Sequence, residues 1–434
     1  MASYDKDNTT EEDYIRNLIK DVENLSFPHK QLEAFKSLCT ITSSSNFKLI
    51  ESLVALGGLP VILRCAKTNK HPQIQIEAAW ALNNIIIGCK DHLADVMKVD
   101  AFPLLCHLLK SNCLQVCEQA ATAIANILVT DKEYCAQAVD KGFIRTLISM
   151  YYLHLNSPII IRRVSCIIRY ICQIELCYTL VKKIMPVIRT LIYHLDKDIK
   201  LNILYGITYL TDNKDFPFKL LLNYGILESM ISVLVHSDIK ILIVALHGLG
   251  NCLKDTENLV ENTLDNNILQ HLGGLVIHDS SLVRKSALFC VGELLGNPMS
   301  YSHELSNING QLMVNIFINL TDEDDDVNKE TIYALLKLSA TGSKDHILML
   351  VQMESIPILS EILEYSKCDI IKMILEIILN LIERSEEYFV TITSMVRKHI
   401  DYTTLEYLMK HKDTDIQKFA NDIYTDLNYE SRIV

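Results

Sequence analysis

The 434-residue sequence predicts an all-α solenoid of stacked helical repeats, and three observations carry the prediction. First, a motif recurs in phase. The position of Asn84 in Glu77-Ala-Ala-Trp80-Ala-Leu-Asn83-Asn84 returns at Asn126, Tyr170, Tyr209, Asn251, Glu293, Lys337 and Asn380, in steps of 42, 44, 39, 42, 42, 44 and 43 residues. Second, a companion series stands four residues earlier: Trp80, Thr122, Cys166, Tyr205, His247, Phe289, Tyr333 and Glu376. Third, the composition is 49% hydrophobic with only 14 Gly and 9 Pro. That is ample for a continuous helical core and too poor in turn residues for an all-β fold. A helical period of about 40–47 residues marks the armadillo/HEAT class of solenoid. At this period the length corresponds to about ten repeats in one array, each touching only its neighbours.

The elements follow in order. Residues 1–12 form a short acidic and polar segment, residues 13–427 the solenoid, and residues 428–434 a tail. Within each repeat a short turn with Gly or Pro opens an apolar helix: Gly57-Gly-Leu-Pro60, Asp100-Ala-Phe-Pro103, Lys141-Gly-Phe-Ile144, Tyr224-Gly-Ile-Leu227 and Glu354-Ser-Ile-Pro357. Proline fits a first helical turn because its missing N–H would have no partner there. A polar turn such as Lys67-Thr-Asn-Lys-His-Pro72 comes next. The longest helix then carries the recurring motif, as in the run from Ile74 to Ile86. Repeats of two or three helices result, and three favours armadillo over HEAT. The expected architecture is therefore an armadillo-repeat, right-handed superhelical solenoid whose third helices line a concave face.

On such a helix Trp80 and Asn84 are i,i+4 neighbours and project from one face. Asparagine offers a donor and an acceptor, so a ladder of them can pair with the main chain of an extended peptide without reading its sequence. Aromatic walls between the rungs accept the stems and charged heads of Lys or Arg. Nearby carboxylates select for positive charge. Against this stands a plainer reading, in which Trp80 is core and Asn84 a tolerated surface amide.

Charge bears on partners. A net charge of −12 attracts basic ligands and disfavours direct nucleic-acid binding, which depends on neutralising phosphates. The densest acidic run, Asp322-Glu-Asp-Asp-Asp326, precedes a predicted helix. It reads either as a solvated loop favoured by the helix dipole or as a ligand-binding patch. The 13 Cys lack paired Cys-x-x-Cys spacing and a secretory signal, which points to reduced thiols. No stretch of 18 uncharged apolar residues suggests a membrane span. The 14 His are dispersed. There is no phosphate-binding Gly loop, nucleophile elbow or metal-binding His pair, so no enzyme activity, cofactor or metal is expected.

The chain resembles importin-alpha (karyopherin-alpha), the adaptor family that carries nuclear-localisation-signal proteins. Gln75-Ile-Glu-Ala-Ala-Trp80-Ala-Leu-Asn-Asn84-Ile and Val116-Cys-Glu-Gln-Ala-Ala-Thr-Ala-Ile-Ala-Asn126-Ile are close to its second and third repeat motifs. Thr208-Tyr-Leu-Thr-Asp212, Ala245-Leu-His-Gly-Leu-Gly-Asn251 and Val327-Asn-Lys-Glu330 match later repeats, and Gln417 to Tyr424 looks like a closing repeat. The resemblance spans about residues 15–427 and is strongest in the first 130. It implies an import adaptor in cytoplasm and nucleus that binds basic cargo segments through Trp80, Asn84, Glu77, Glu118, Gln119, Asn126, Asp131, Tyr205, Tyr209, Asp212, Asn251 and Glu330. The alternative is an armadillo interaction scaffold that has left nuclear transport.

Departures refine the expectation. Trp80 is the sole tryptophan, and Tyr170, Glu293 and Lys337 replace family asparagines. The family's third-repeat aspartate aligns with Thr130, beside Asp131. Glu293 lacks a donor and Lys337 an acceptor, and Lys337 repels basic cargo, so the second basic site is expected to be weak. Residues 1–12 lack the basic arm that recruits importin-beta, so neither conventional recruitment nor self-inhibition by that arm is expected. An export receptor on the C-terminal repeats stays open.

Overall fold

The computed structural model describes residues 11–24, 26–43, 47–67, 71–88, 90–254, 266–296, 310–364, 367–384 and 388–429. Residues 1–10 of the expected N-terminal segment, 68–70 of the Lys67–Pro72 turn and 430–434 of the tail lie outside them. Among the described residues every regular element is helical.

Ten long helices recur, one per repeat, numbered here in chain order: α1 Pro28–Ser43, α2 Pro72–Gly88, α3 Leu114–Thr130, α4 Pro158–Ile171, α5 Lys197–Thr211, α6 Ile239–Lys254, α7 Ser281–Leu295, α8 Asp325–Thr341, α9 Cys368–Glu383 and α10 Thr414–Tyr429. The chain divides between Leu210 and Thr211 into two compact units. In the first, α1 packs on α2, α2 on α3 and α3 on α4; in the second, α6 to α10 stack likewise. Small residues permit the approach, since Ala78, Ala79, Ala120 and Ala121 are fully buried in α2 and α3.

One or two further helices precede each long one. Complete triplets include Phe47–Ala55, Gly58–Lys67 and α2, and Ser355–Leu363 with its neighbours Lys344–Gln352 and α9. Before α5 a single helix, Tyr178–Ile192, runs through Pro186.

The corner that opens the second helix has a defined conformation. Gly57, Gly142 and Gly225 take φ of 80°, 80° and 62° there, and Asp100 and Glu354 take 55° and 56°. These are the five turns singled out from the sequence. Left-handed backbone costs glycine little and other residues more, because their Cβ crowds the following carbonyl.

A second recurrent turn leads into the long helix. His194, His236 and His278 are spaced by 42 residues, and each accepts through Nδ1 the backbone N–H two residues on at 3.0 Å. His411 does the same for Asp413. Asp196, Asp238 and Asp413 then accept the N–H two residues beyond themselves, satisfying amides that a helix start leaves open. The histidines are therefore not simply dispersed: four of them close one kind of turn.

The acidic run is structural in the same sense. Asp324 caps α8 by accepting Asp326 N at 3.0 Å. Asp322 receives Arg284 bidentately, Nε at 2.8 Å and Nη2 at 2.9 Å, while Nη1 donates to the carbonyls of His278 and Asp279. Asp326 pairs with Lys285 at 2.7 Å. The run thus fastens the start of α8 to the start of α7.

Candidate functional site

Within each unit the sequence motif lies along one face of the row of long helices. In the first unit Trp80 is 42% exposed on α2, although its helix is otherwise mostly buried. This excludes Trp80 as a core residue. Glu77 stands one turn before it and Asn84 one turn after, both half-buried.

The asparagines are bonded across the row. Asn84 Nδ2 donates to Thr42 Oγ1 at 3.3 Å, and Asn126 Nδ2 donates to Asn83 Oδ1 at 2.7 Å. In the second unit Asn251 Nδ2 reaches Thr211 Oγ1 at 3.5 Å, and Asn380 Nδ2 reaches Ser339 Oγ at 3.1 Å. One donor of each rung is committed to the preceding repeat. For Asn84 and Asn126 the second amide hydrogen and Oδ1 remain for a ligand.

The carboxylates differ in their freedom. Glu118 Oε1 accepts Ser157 Oγ at 2.9 Å, and Ser157 in turn caps α4 through Ile160 N. Asp131 is exposed and caps the helix Lys132–Asp140 by accepting Glu133 N at 2.9 Å. Glu77 Oε2, by contrast, is buried and has no hydrogen-bond partner. Gln119 is half-buried on α3.

Farther along the first unit the face changes sign. Tyr205 and Tyr209 on α5 lie nearly parallel with centroids 6.2 Å apart. The guanidinium of Arg169 lies 4.0 Å from the centre of the Tyr205 ring, and its Nε is buried without a partner. Arg163 Nε donates to Thr122 Oγ1 at 3.1 Å. Neither arginine forms an ion pair among the described residues. Sequence reading overlooked both. A signal was present, because Arg163 precedes Cys166 by the same three residues that separate Glu77 from Trp80.

In the second unit Asp212 is exposed and Asn251 half-buried. The His247 and Phe289 rings approach to 5.6 Å. Glu293 is not a rung offered to a ligand: it is 4% exposed and accepts the Tyr333 hydroxyl at 2.8 Å. Gly292 explains this, since a Cβ there would fall 3.0 Å from the Tyr333 ring, which lies directly against the helix. Lys337 Nζ sits 5.2 Å from the same ring, so this chain's own cation covers it. Burial, foremost, pushes the Glu330 carboxyl above its ordinary range, against the pull of Lys285 and Lys329.

Fold and repeat define an all-α armadillo-repeat protein. The Armadillo/beta-catenin-like repeat family model matches residues 46–87 and 90–129. A crystal structure of an engineered protein superposes with a TM-score of 0.83 at 19% identity, over 97% of this chain and 99% of that one, which shows the fold. Within the class the chain is divergent and similar to importin alpha subunits. It is 25% identical to importin subunit alpha-1b of Oryza sativa subsp. japonica over 252 residues, 57% of this chain and 47% of the relative. It is 26% identical to importin subunit alpha-4 of Arabidopsis thaliana over 227 residues, 52% and 42% of the two chains. Importin subunit alpha-8 of Arabidopsis thaliana is 22% identical over 342 residues, 78% and 75%. The chain thus spans about half the length of the first two relatives.

Proposed function

We propose that this chain is an importin-alpha-like adaptor that holds basic, nuclear-localisation-type segments of cargo proteins, working between cytoplasm and nucleus. The observation that supports it best is the constellation at α2 and α3. An exposed Trp80 stands one helical turn after Glu77, whose Oε2 is buried without a hydrogen-bond partner and whose carboxylate acts on the Cys39 thiol of α1, with amide groups of Asn84 and Asn126 to spare. The indole attracts a cation, the carboxylate neutralises it, and the amides pair with the peptide main chain. Glu118, Gln119 and Asp131 add polarity around this centre. Tyr205 and Tyr209 would extend the contacts within the first unit, and Asp212, Asn251 and Glu330 would offer contacts of their own within the second.

A second reading, an interaction scaffold outside nuclear transport, is favoured by the cations that cover Tyr205 and Tyr333. Those contacts remove two aromatic faces from the reach of a basic ligand.

Titration with a Lys/Arg-rich peptide, at low and then high salt, tests the proposal. Salt-sensitive binding is expected, reduced by on the order of 1–3 kcal/mol in N84A/N126A for lost and unpaired polar groups. Undiminished binding in that variant places the site elsewhere, and absence of binding favours the scaffold.

A further inference from the structure

Among the described residues three buried side-chain polar atoms lack a hydrogen-bond partner: Glu77 Oε2, Arg169 Nε and Ser355 Oγ. Two of them lie on the long helices of the first unit, and they are of opposite charge. An unpaired buried polar atom costs free energy, so its persistence calls for a reason. The phase of the repeat supplies one. Three residues before Trp80, Thr122 and Cys166 stand Glu77, Gln119 and Arg163 in turn. One position of the repeat therefore runs from negative through neutral to positive over α2, α3 and α4. Among the described residues Arg163 uses Nε on Thr122 and its Nη groups make no hydrogen bond, while Arg169, farther along the same helix, rests on Tyr205 and donates to Asn202 Oδ1 without an ion pair. The other arginines of the long helices, Arg162 and Arg284, have their carboxylates in Asp196 and Asp322.

We propose that this face of the first unit takes an extended peptide of split charge, with Lys or Arg at the Trp80–Glu77 end and Asp or Glu at the Arg163–Arg169 end. The inference rests on the peptide-binding reading above and adds a second determinant to it. A carboxylate accepts two parallel N–H bonds from a guanidinium, which the Nη edge of Arg163 offers, while Arg169, held on Tyr205 with Nη1 donating to Asn202 Oδ1 at 3.5 Å, adds positive charge. Packed helices lie about 8–10 Å apart, so two steps from α2 to α4 cover about 16–20 Å. Extended chain advances about 3.3–3.6 Å per residue, which puts about five or six residues between the two charged groups.

Three labelled peptides test this by fluorescence anisotropy: a Lys-Arg-Lys cluster with a neutral tail, the same cluster with Glu-Glu six residues later, and the reverse order. A protein of net charge −12 should, by long-range attraction alone, prefer the most positive peptide. The proposal expects the opposite, with one split-charge order binding about tenfold more tightly than the basic-only peptide. In R163Q/R169Q that gain should vanish, while the basic-only affinity should not fall, because neither arginine belongs to the Trp80–Glu77 end and the loss of Arg169 uncovers Tyr205. R163K/R169K, which keeps the charge, should retain part of the gain, and thermal melts establish that both variants fold. If the basic-only peptide binds and neither split-charge order improves on it, the inference is overturned and the peptide-binding reading stands. If no peptide binds, that reading falls and the inference with it.

Discussion

The Tyr333 hydroxyl donates at 2.8 Å to the carboxylate of Glu293, a residue that is 4% exposed. Burial, and then the neighbouring carboxylate, push the phenol above its ordinary range, so the donor keeps its proton. A buried carboxylate stripped of its donor retains the full desolvation cost. Y333F should therefore destabilise the second unit by about 1–3 kcal/mol in urea unfolding. Replacing both partners, as Y333F/E293L, should recover most of the loss, because no polar group is then left unpaired. A double variant worse than the single one would contradict this account.

The same residues bear on cargo. Glu293 faces inward and Lys337 covers Tyr333, so the second unit offers a basic segment little to hold. A peptide with two basic clusters should gain well under the 100-fold or so that two linked sites can supply over one cluster. Isothermal titration of both peptides at one salt concentration decides it.

The corners that open the second helices differ in strain. Glu354 and Asp100 hold left-handed backbone at φ 56° and 55°. E354G and D100G should each raise stability, or leave it unchanged, by up to about 1 kcal/mol once glycine's unfolded-state entropy is set against the relieved crowding. G142A, at φ 80°, should lower it by about 1 kcal/mol. Thermal melts of the three variants suffice.

The Arg284–Asp322 pair gives a pH signature. Burial disfavours the Asp322 carboxylate, yet Arg284 and the Asp324 amide outweigh it and hold the group below its ordinary range. A carboxyl with a depressed folded pKa contributes stability above its unfolded pKa and loses it as pH falls through the folded value. D322N should thus cost about 2–4 kcal/mol at pH 7, since it uncouples a mostly buried charge pair. That deficit should shrink as the wild type is acidified below the usual aspartate range. A deficit independent of pH would assign the loss to packing instead.

Much of this was legible in the chain. The 42-residue phase located the long helices, and the Gly and Pro turns located the five left-handed corners found among the described residues. Reading stopped where a side chain's partner lies a whole repeat away. Nothing near Asn126 announces that its donor is taken by Asn83, and nothing near Glu293 shows that Gly292 lets Tyr333 lie over it. The turn histidines and Arg163 also sit in phase, at positions of the repeat outside the two series that carry the Trp80 and Asn84 motif.

The rungs Asn84, Asn126 and Asn380 each bond to a residue 41–43 positions earlier. Distance along the chain is thereby quantised. A helix turns by about 100° per residue, so one residue added inside α2 or α3 would swing every later side chain of that helix away from its partner. A segment as long as one full period could be excised or duplicated while each new pair of faces still met. The array can grow or shrink in whole repeats, and it resists change in any smaller step.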